Sequence, residues 1–191
     1  MKASQVICMT LLCSLTVSAQ VLRPGKCPDN VAVQADFNIT KYTGKWYDIK
    51  RLPAVFQNGE CATALYTLKS PGVIGVLNSE LLADGSIHTV NGSVWQTDPE
   101  EPAKMEVFFS EMAFPGKYWV LSTDYVSHAV VYSCQDLGQV HELLAWILSR
   151  KPTLSKSKLE RLHGILSAVD VHVHQMIVSN QDPVYCSAKH Y

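Results

Sequence analysis

From residue 46 to residue 148 the chain alternates short β-prone runs with turn signals at nearly even spacing. The runs cover 46–52, 60–68, 73–81, 86–95, 104–111, 117–124, 128–134 and part of 139–148. Pro53 stops the first, Lys69-Ser70-Pro71-Gly72 separates the second from the third, and Asp84-Gly85 is a hairpin signal between the third and fourth. In the fifth run Lys104 and Glu106 alternate with Met105, Val107 and Phe109, which gives one wet and one apolar face. Eight such runs, with no longer connection between them, suit an all-β fold: an eight-stranded up-and-down antiparallel barrel. A helix over 158–168 follows. Ser157-x-x-Glu160 is its capping box, and Leu159, Leu162, Ile165 or Leu166, and Val169 form an apolar stripe that packs on the outside of the barrel. The run 169–178 reads as a short ninth strand. No repeat, linker or second domain interrupts 20–191, which is expected to be one domain.

Residues 1–19 are expected to be a secretory signal peptide. Lys2 precedes an apolar stretch over 6–17, and Val17-Ser18-Ala19 supplies small residues before Gln20. The mature chain is then secreted and extracellular, and no later stretch approaches the roughly 20 uninterrupted apolar residues of a membrane span. Without Lys2, 15 basic side chains stand against 17 acidic ones, about −2 overall, and no basic stripe points to nucleic acid. Cys8 and Cys13 leave with the leader. Cys27, Cys61, Cys134 and Cys186 remain, and an extracellular setting favours two disulfides, with three pairings open. The four are too scattered for a zinc site. None is left over for an intermolecular bond, and a monomer is expected.

Gly44-x-Trp46-Tyr47 opens the first strand. Gly44 permits a strained backbone and a close neighbour, and Trp46 brings a large ring with one N–H. A tryptophan there either plugs the end of a barrel or is an ordinary buried strand residue. Two distant stretches bear on the choice. Thr123-Asp124-Tyr125 ends the sixth run, and Arg150 follows the apolar run 143–148. Together these segments resemble the three signature regions of the lipocalin family. The resemblance runs through the mature chain and is closest to the apolipoprotein members of the family. Gly25-Lys26-Cys27-Pro28, Tyr118-Trp119-x-Leu121, Val131-Tyr132-Ser133-Cys134 and Ala145-Trp146-Ile147-Leu148 carry it. It implies an Arg150 guanidinium packed over the Trp46 ring, disulfides Cys27–Cys134 and Cys61–Cys186, and a last strand beside the first.

Signs of an enzyme are few. Gly-x-Ser-x-Gly is absent, and His141-Glu142 lacks the second histidine of a zinc-protease helix. His172 and His174, two apart on a strand, share a face; they are either metal ligands or surface histidines, the second being the plainer reading, and no metal or cofactor is expected. One lipocalin is a prostaglandin isomerase with a thiol in its barrel; Cys61 is the candidate here by position, and the implied disulfide removes its thiolate. Binding has a physical basis, because an eight-stranded barrel encloses room for one small ligand. Strand parity turns Met105, Val107 and Phe109 inward, and sets Tyr118 and Val120 opposite Trp119 and Leu121. The sequon at Asn91, if glycosylated, faces out and turns Val90 in; Asn38 heads a second sequon. Asn78 is a rare polar group in the cup. By the resemblance, Asn78, Phe109, Tyr118 and Trp146 match pocket positions, and Val107 joins them by parity; plain core packing is the alternative for each.

The resemblance implies a fatty acid such as arachidonic acid, or a steroid such as progesterone, as the transported ligand. A bilin or carotenoid pigment is the alternative, since invertebrate relatives carry those. Val55-Phe56 and Met112-Ala113-Phe114 either dip into a lipoprotein or membrane surface or fold over the mouth. Glu111 stands where the apolipoprotein members carry an aromatic.

Overall fold

The computed structural model describes residues 21–187; the expected leader, with Cys8 and Cys13, lies outside the described residues. The elements in chain order are β1 (Val21–Pro24), α1 (Ile39–Tyr42), β2 (Gly44–Arg51), β3 (Glu60–Ser70), β4 (Val73–Leu81), β5 (Ile87–Gln96), β6 (Lys104–Phe109), β7 (Gly116–Thr123), β8 (His128–Asp136), β9 (Val140–Ser149), α2 (Lys156–Ser167), a 3-10 turn (Val173–Gln175), β10 (Ile177–Val178) and α3 (Pro183–Ser187). Strands β2 to β9 pair in sequence order, each antiparallel to the next, and β9 returns to pair with β2. The sheet therefore closes into an eight-stranded barrel. Closure satisfies edge hydrogen bonds that an open sheet would leave exposed. β9 is shared by two N-terminal strands: its first half pairs with β1 and its second half with β2.

Two apolar clusters follow from the strand parity. One lies inside the barrel toward one end, around Tyr42, Trp46, Tyr66, Met105, Tyr118 and Val120. The other lies outside, where Leu162 and Leu166 of α2 are completely buried against Tyr132, Ala145 and Ile147. Both disulfides tie a terminal segment to the barrel: Cys27–Cys134 holds the N-terminal arm on β8, and Cys61–Cys186 holds α3 on β3. Each spans more than 100 residues of sequence, at separations of 107 and 125. In the chain-entropy account such closures contribute up to about 4–5 kcal/mol each.

Some boundaries differ from the sequence reading. The fifth barrel strand ends at Phe109 rather than at 111, because the Met112 N–H bonds back to the Phe109 carbonyl at 2.9 Å and turns the chain. Helix α2 is capped by Ser155, not Ser157. Ser155 Oγ accepts the Lys158 N–H at 3.4 Å, and starting there adds a backbone bond from Leu159 N–H to the Ser155 carbonyl at 3.0 Å. The run 169–178 is a strand only at Ile177–Val178. Its apolar residues fall at 169, 171 and 173 and then at 176. The spacing changes from two to three, and the 3-10 turn at Val173–Gln175 absorbs the change while Val171 and Met176 stay buried. His172 and His174 therefore do not share a strand face; they meet across this turn, with rings stacked at 5.4 Å. Among the described residues no group of three or more His, Cys, Asp or Glu is placed to hold a metal ion, and no helix is long and apolar enough to cross a membrane.

Candidate functional site

One end of the barrel is plugged. Gly44 adopts φ +99°, and a Cβ there would sit 3.0 Å from Arg150 Nη1, so both the backbone and the space call for glycine. The Arg150 guanidinium carbon lies 3.7 Å from the centre of the Trp46 ring. Its nitrogens donate to the carbonyls of Tyr125 (2.9 Å), Lys45 (2.9 Å) and Thr43 (2.8 Å). Trp46 Nε1 donates to the Tyr42 carbonyl at 2.9 Å. The neighbouring turn is locked from within. Thr123 Oγ1 donates to the His128 carbonyl and accepts the Tyr125 N–H, and Asp124 Oδ1 accepts the N–H groups of Ser127 and His128. Burial pushes the Asp124 carboxyl up, but these bonds and the Ser127 hydroxyl outweigh it and hold it well below the usual range. The three separated segments thus form one interlocked plug.

Above the plug lies a cavity of about 700 Å³, open at the opposite end of the barrel. That volume suits a single small-molecule ligand. Asn78, Val107, Phe109, Tyr118 and Trp146 all line it, as does Val90, while Asn91 on the same strand is exposed. Met105 and Val120, expected on the inner face, are there but completely buried in the packing beneath the cavity. At the mouth, Phe56 and Phe114 line the opening and remain 56% and 79% exposed.

At the floor of the cavity, Tyr66 and Tyr118 join the buried Tyr42 in a hydrogen-bonded row. Tyr118 Oη lies 2.9 Å from Tyr42 Oη and 2.7 Å from Tyr66 Oη. Burial raises all three phenols above their ordinary range, so they stay neutral.

The walls are more polar than the sequence reading allowed. Asn78 is one of several polar side chains in the cup, with Asp48, Gln57, Glu80, Glu111 and Glu142. Parity is the reason: Asp48 follows Trp46 by two and Glu142 precedes Trp146 by four, so both are carried inward. Trp146 Nε1 donates to Gln57 Oε1 at 2.9 Å, and Gln57 Nε2 donates to Asp48 Oδ2 at 3.0 Å. Arg51 Nη1 donates to the same oxygen at 3.0 Å. Burial lifts the Asp48 carboxyl to about 6 against the pull of Arg51. Trp146 is thereby fixed to the loop between β2 and β3, a link no spacing in the sequence reveals. Cys61, placed by position as a candidate thiol, is bonded to Cys186 and carries no thiolate.

Known proteins match the chain along its length. A lipocalin-like domain model covers residues 37–181. Apolipoprotein D of Mus musculus is 40% identical over 167 residues, which span 87% of this chain and 88% of that protein. The Lazarillo protein of Schistocerca americana is 32% identical over 182 residues, 91% of this chain and 83% of that one. Among solved structures, insecticyanin from the tobacco hornworm Manduca sexta superposes with a TM-score of 0.75 at 25% identity, covering 88% of this chain and 93% of that chain. Lobster apocrustacyanin A1 gives a TM-score of 0.71 at 21% identity, covering 83% and 89%, a likeness of fold. A closed eight-stranded barrel, a plug joining three distant segments and a family model matched across most of both place this chain in the lipocalin family.

Proposed function

We propose that the mature chain is a secreted carrier, not an enzyme, that binds one small hydrophobic molecule in the cup and transports it. The 700 Å³ cavity, closed by the Trp46–Arg150 plug and open at the other end, is the observation that carries this reading. Asn78, Val107, Phe109, Tyr118 and Trp146 form its contact surface, and burial of ligand apolar area drives binding at roughly 25 cal/mol per Å² before the costs of association. The similarity to apolipoprotein D favours a fatty acid such as arachidonic acid or a steroid such as progesterone. The disulfides Cys27–Cys134 and Cys61–Cys186 suit an oxidising, extracellular setting. Asn38 and Asn91 are both exposed and accept glycans in this reading. Phe56 and Phe114, exposed at the rim beside Val55, let the open end rest on a lipoprotein or membrane surface.

The test is a titration of delipidated mature protein with arachidonic acid, progesterone and biliverdin, followed by tryptophan fluorescence. One-to-one saturable quenching that fades in Trp146→Ala supports the reading. A folded protein that responds to none of them refutes it, and a protein that is coloured on purification assigns the cup to a pigment instead.

A further inference from the structure

The three floor tyrosines hold three hydroxyl protons and make two hydrogen bonds, Tyr42–Tyr118 and Tyr66–Tyr118. One O–H is therefore unspent, whichever way the row is oriented. Tyr42 is completely buried and lies off the cavity wall, so an unspent donor there would lose its water with no partner in return. Tyr66 and Tyr118 both face the cavity. The favoured orientations place the free proton on one of these two, where a ligand atom can accept it.

The walls above are short of positive charge. Asp48 is paired with Arg51, and its Oδ1 is buried without a hydrogen-bond partner. Glu80 accepts the Gly59 N–H at 2.9 Å and lies 3.4 Å from one ring nitrogen of His88; Glu111 lies 4.0 Å from the other. Among the described residues no cation pairs with Glu142, whose carboxyl is pushed up by burial. Lys117 touches the cavity, but its ammonium sits 5.3 Å from the centre of the Trp119 ring, a side chain on the opposite face of β7 from Tyr118. Arg150 is spent on Trp46 and backbone carbonyls outside the cup. A carboxylate bound head-down gains one phenol O–H but no cation, too little to replace its hydration. Bound head-up, it meets Glu80, Glu111 and Glu142, and the His88 ring beside them already faces Glu80 and Glu111.

We propose that the cup selects an uncharged ligand ending in a carbonyl-type acceptor (ketone, ester or aldehyde) set against Tyr66 and Tyr118, and discriminates against the carboxylate of a free fatty acid. This rests on the carrier reading and narrows its ligand class toward the steroid-like alternative.

Methyl arachidonate and arachidonic acid share a chain and differ in the head group, so the pair isolates the effect. Both are titrated, beside progesterone, into the parent protein, Tyr66→Phe/Tyr118→Phe, and Glu111→Gln/Glu142→Gln, with folding checked by circular dichroism. The parent binds the ester about tenfold more tightly than the acid. The tyrosine variant loses about fivefold to tenfold for the ester, and the glutamine variant gains affinity for the acid. If the tyrosine variant does not fold, the ester-to-acid ratio in the parent and glutamine variant decides alone. An acid that binds the parent as tightly as the ester overturns the inference and leaves the carrier reading standing. If neither lipid nor progesterone binds the folded parent, the carrier reading fails and takes this inference with it.

Discussion

Arg150→Lys is the most direct test of the plug. The substitution keeps the positive charge and removes the planar fork. In the parent, three guanidinium bonds of 2.8–2.9 Å reach carbonyls on two distant segments, Thr43 and Lys45 on one and Tyr125 on the other, and the plane stacks on Trp46 at 3.7 Å. The side chain is partly exposed, so each bond is taken at the low end, about 0.5–1 kcal/mol. The stacking adds about 1 kcal/mol. Arg150→Ala forfeits all of this, about 3 kcal/mol. A lysine ammonium reaches one of the three carbonyls and cannot stack in a plane, so Arg150→Lys loses about 2 kcal/mol. For a domain of this size that lowers Tm by about 4–8 °C. The assay is thermal unfolding by circular dichroism with both disulfides intact, supported by urea midpoints. A lysine variant that melts within a degree of the parent would refute the reasoning, since charge alone would then account for the plug.

Three further outcomes are expected. Gly44→Ala costs about 1–3 kcal/mol, measured by urea unfolding, because alanine at φ +99° is strained and its Cβ presses on Arg150. Burial raises the Asp48 carboxyl to about 6 in the folded protein against about 3.9 unfolded, so the folded state holds the proton more tightly; stability measured against Asp48→Asn falls as pH rises, by about 2 kcal/mol between pH 4 and 6, and levels off near pH 7. Asp124 shifts the opposite way. Its contribution is present above about pH 4 and is lost as pH falls further, so Asp124→Asn flattens the acid limb of the stability profile measured by urea midpoints.

The barrel was legible because its information is local. Alternation along 104–111 and turn signals such as Asp84-Gly85 need no partner to be read, and β4 fills 73–81 as expected. Where neighbours compete, the reading slipped by small steps: two serines two residues apart vied for the cap of α2, and a change of apolar spacing broke the expected strand at Val173. The cavity wall was half legible. Parity and resemblance found Tyr118 and Trp146, because large rings on an inward face have few other places to go. Asp48, Tyr66 and Glu142 obey the same parity. Asp48 and Glu142 escape that reading because charged residues are seldom expected inside, and what tolerates Asp48 there is Arg51, brought to it by the β2 bulge rather than by simple alternation. The tyrosine row joins β3, β7 and α1, and only closure of the sheet brings those three together.

The concentration of interlocking contacts at one end of the barrel has an evolutionary consequence. The plug holds the closed end of the barrel in shape, and the rim residues take no part in it. Replacements at Glu111, Leu144 or Phe114 alter what the cup admits without touching the Trp46–Arg150 contact or the threonine–aspartate turn. A lineage built this way explores new cavity shapes one wall residue at a time, each trial carried by a frame that does not register the change. Engineers inherit the same partition: libraries drawn from the rim and walls should return folded proteins at high frequency, and those drawn from the plug should not.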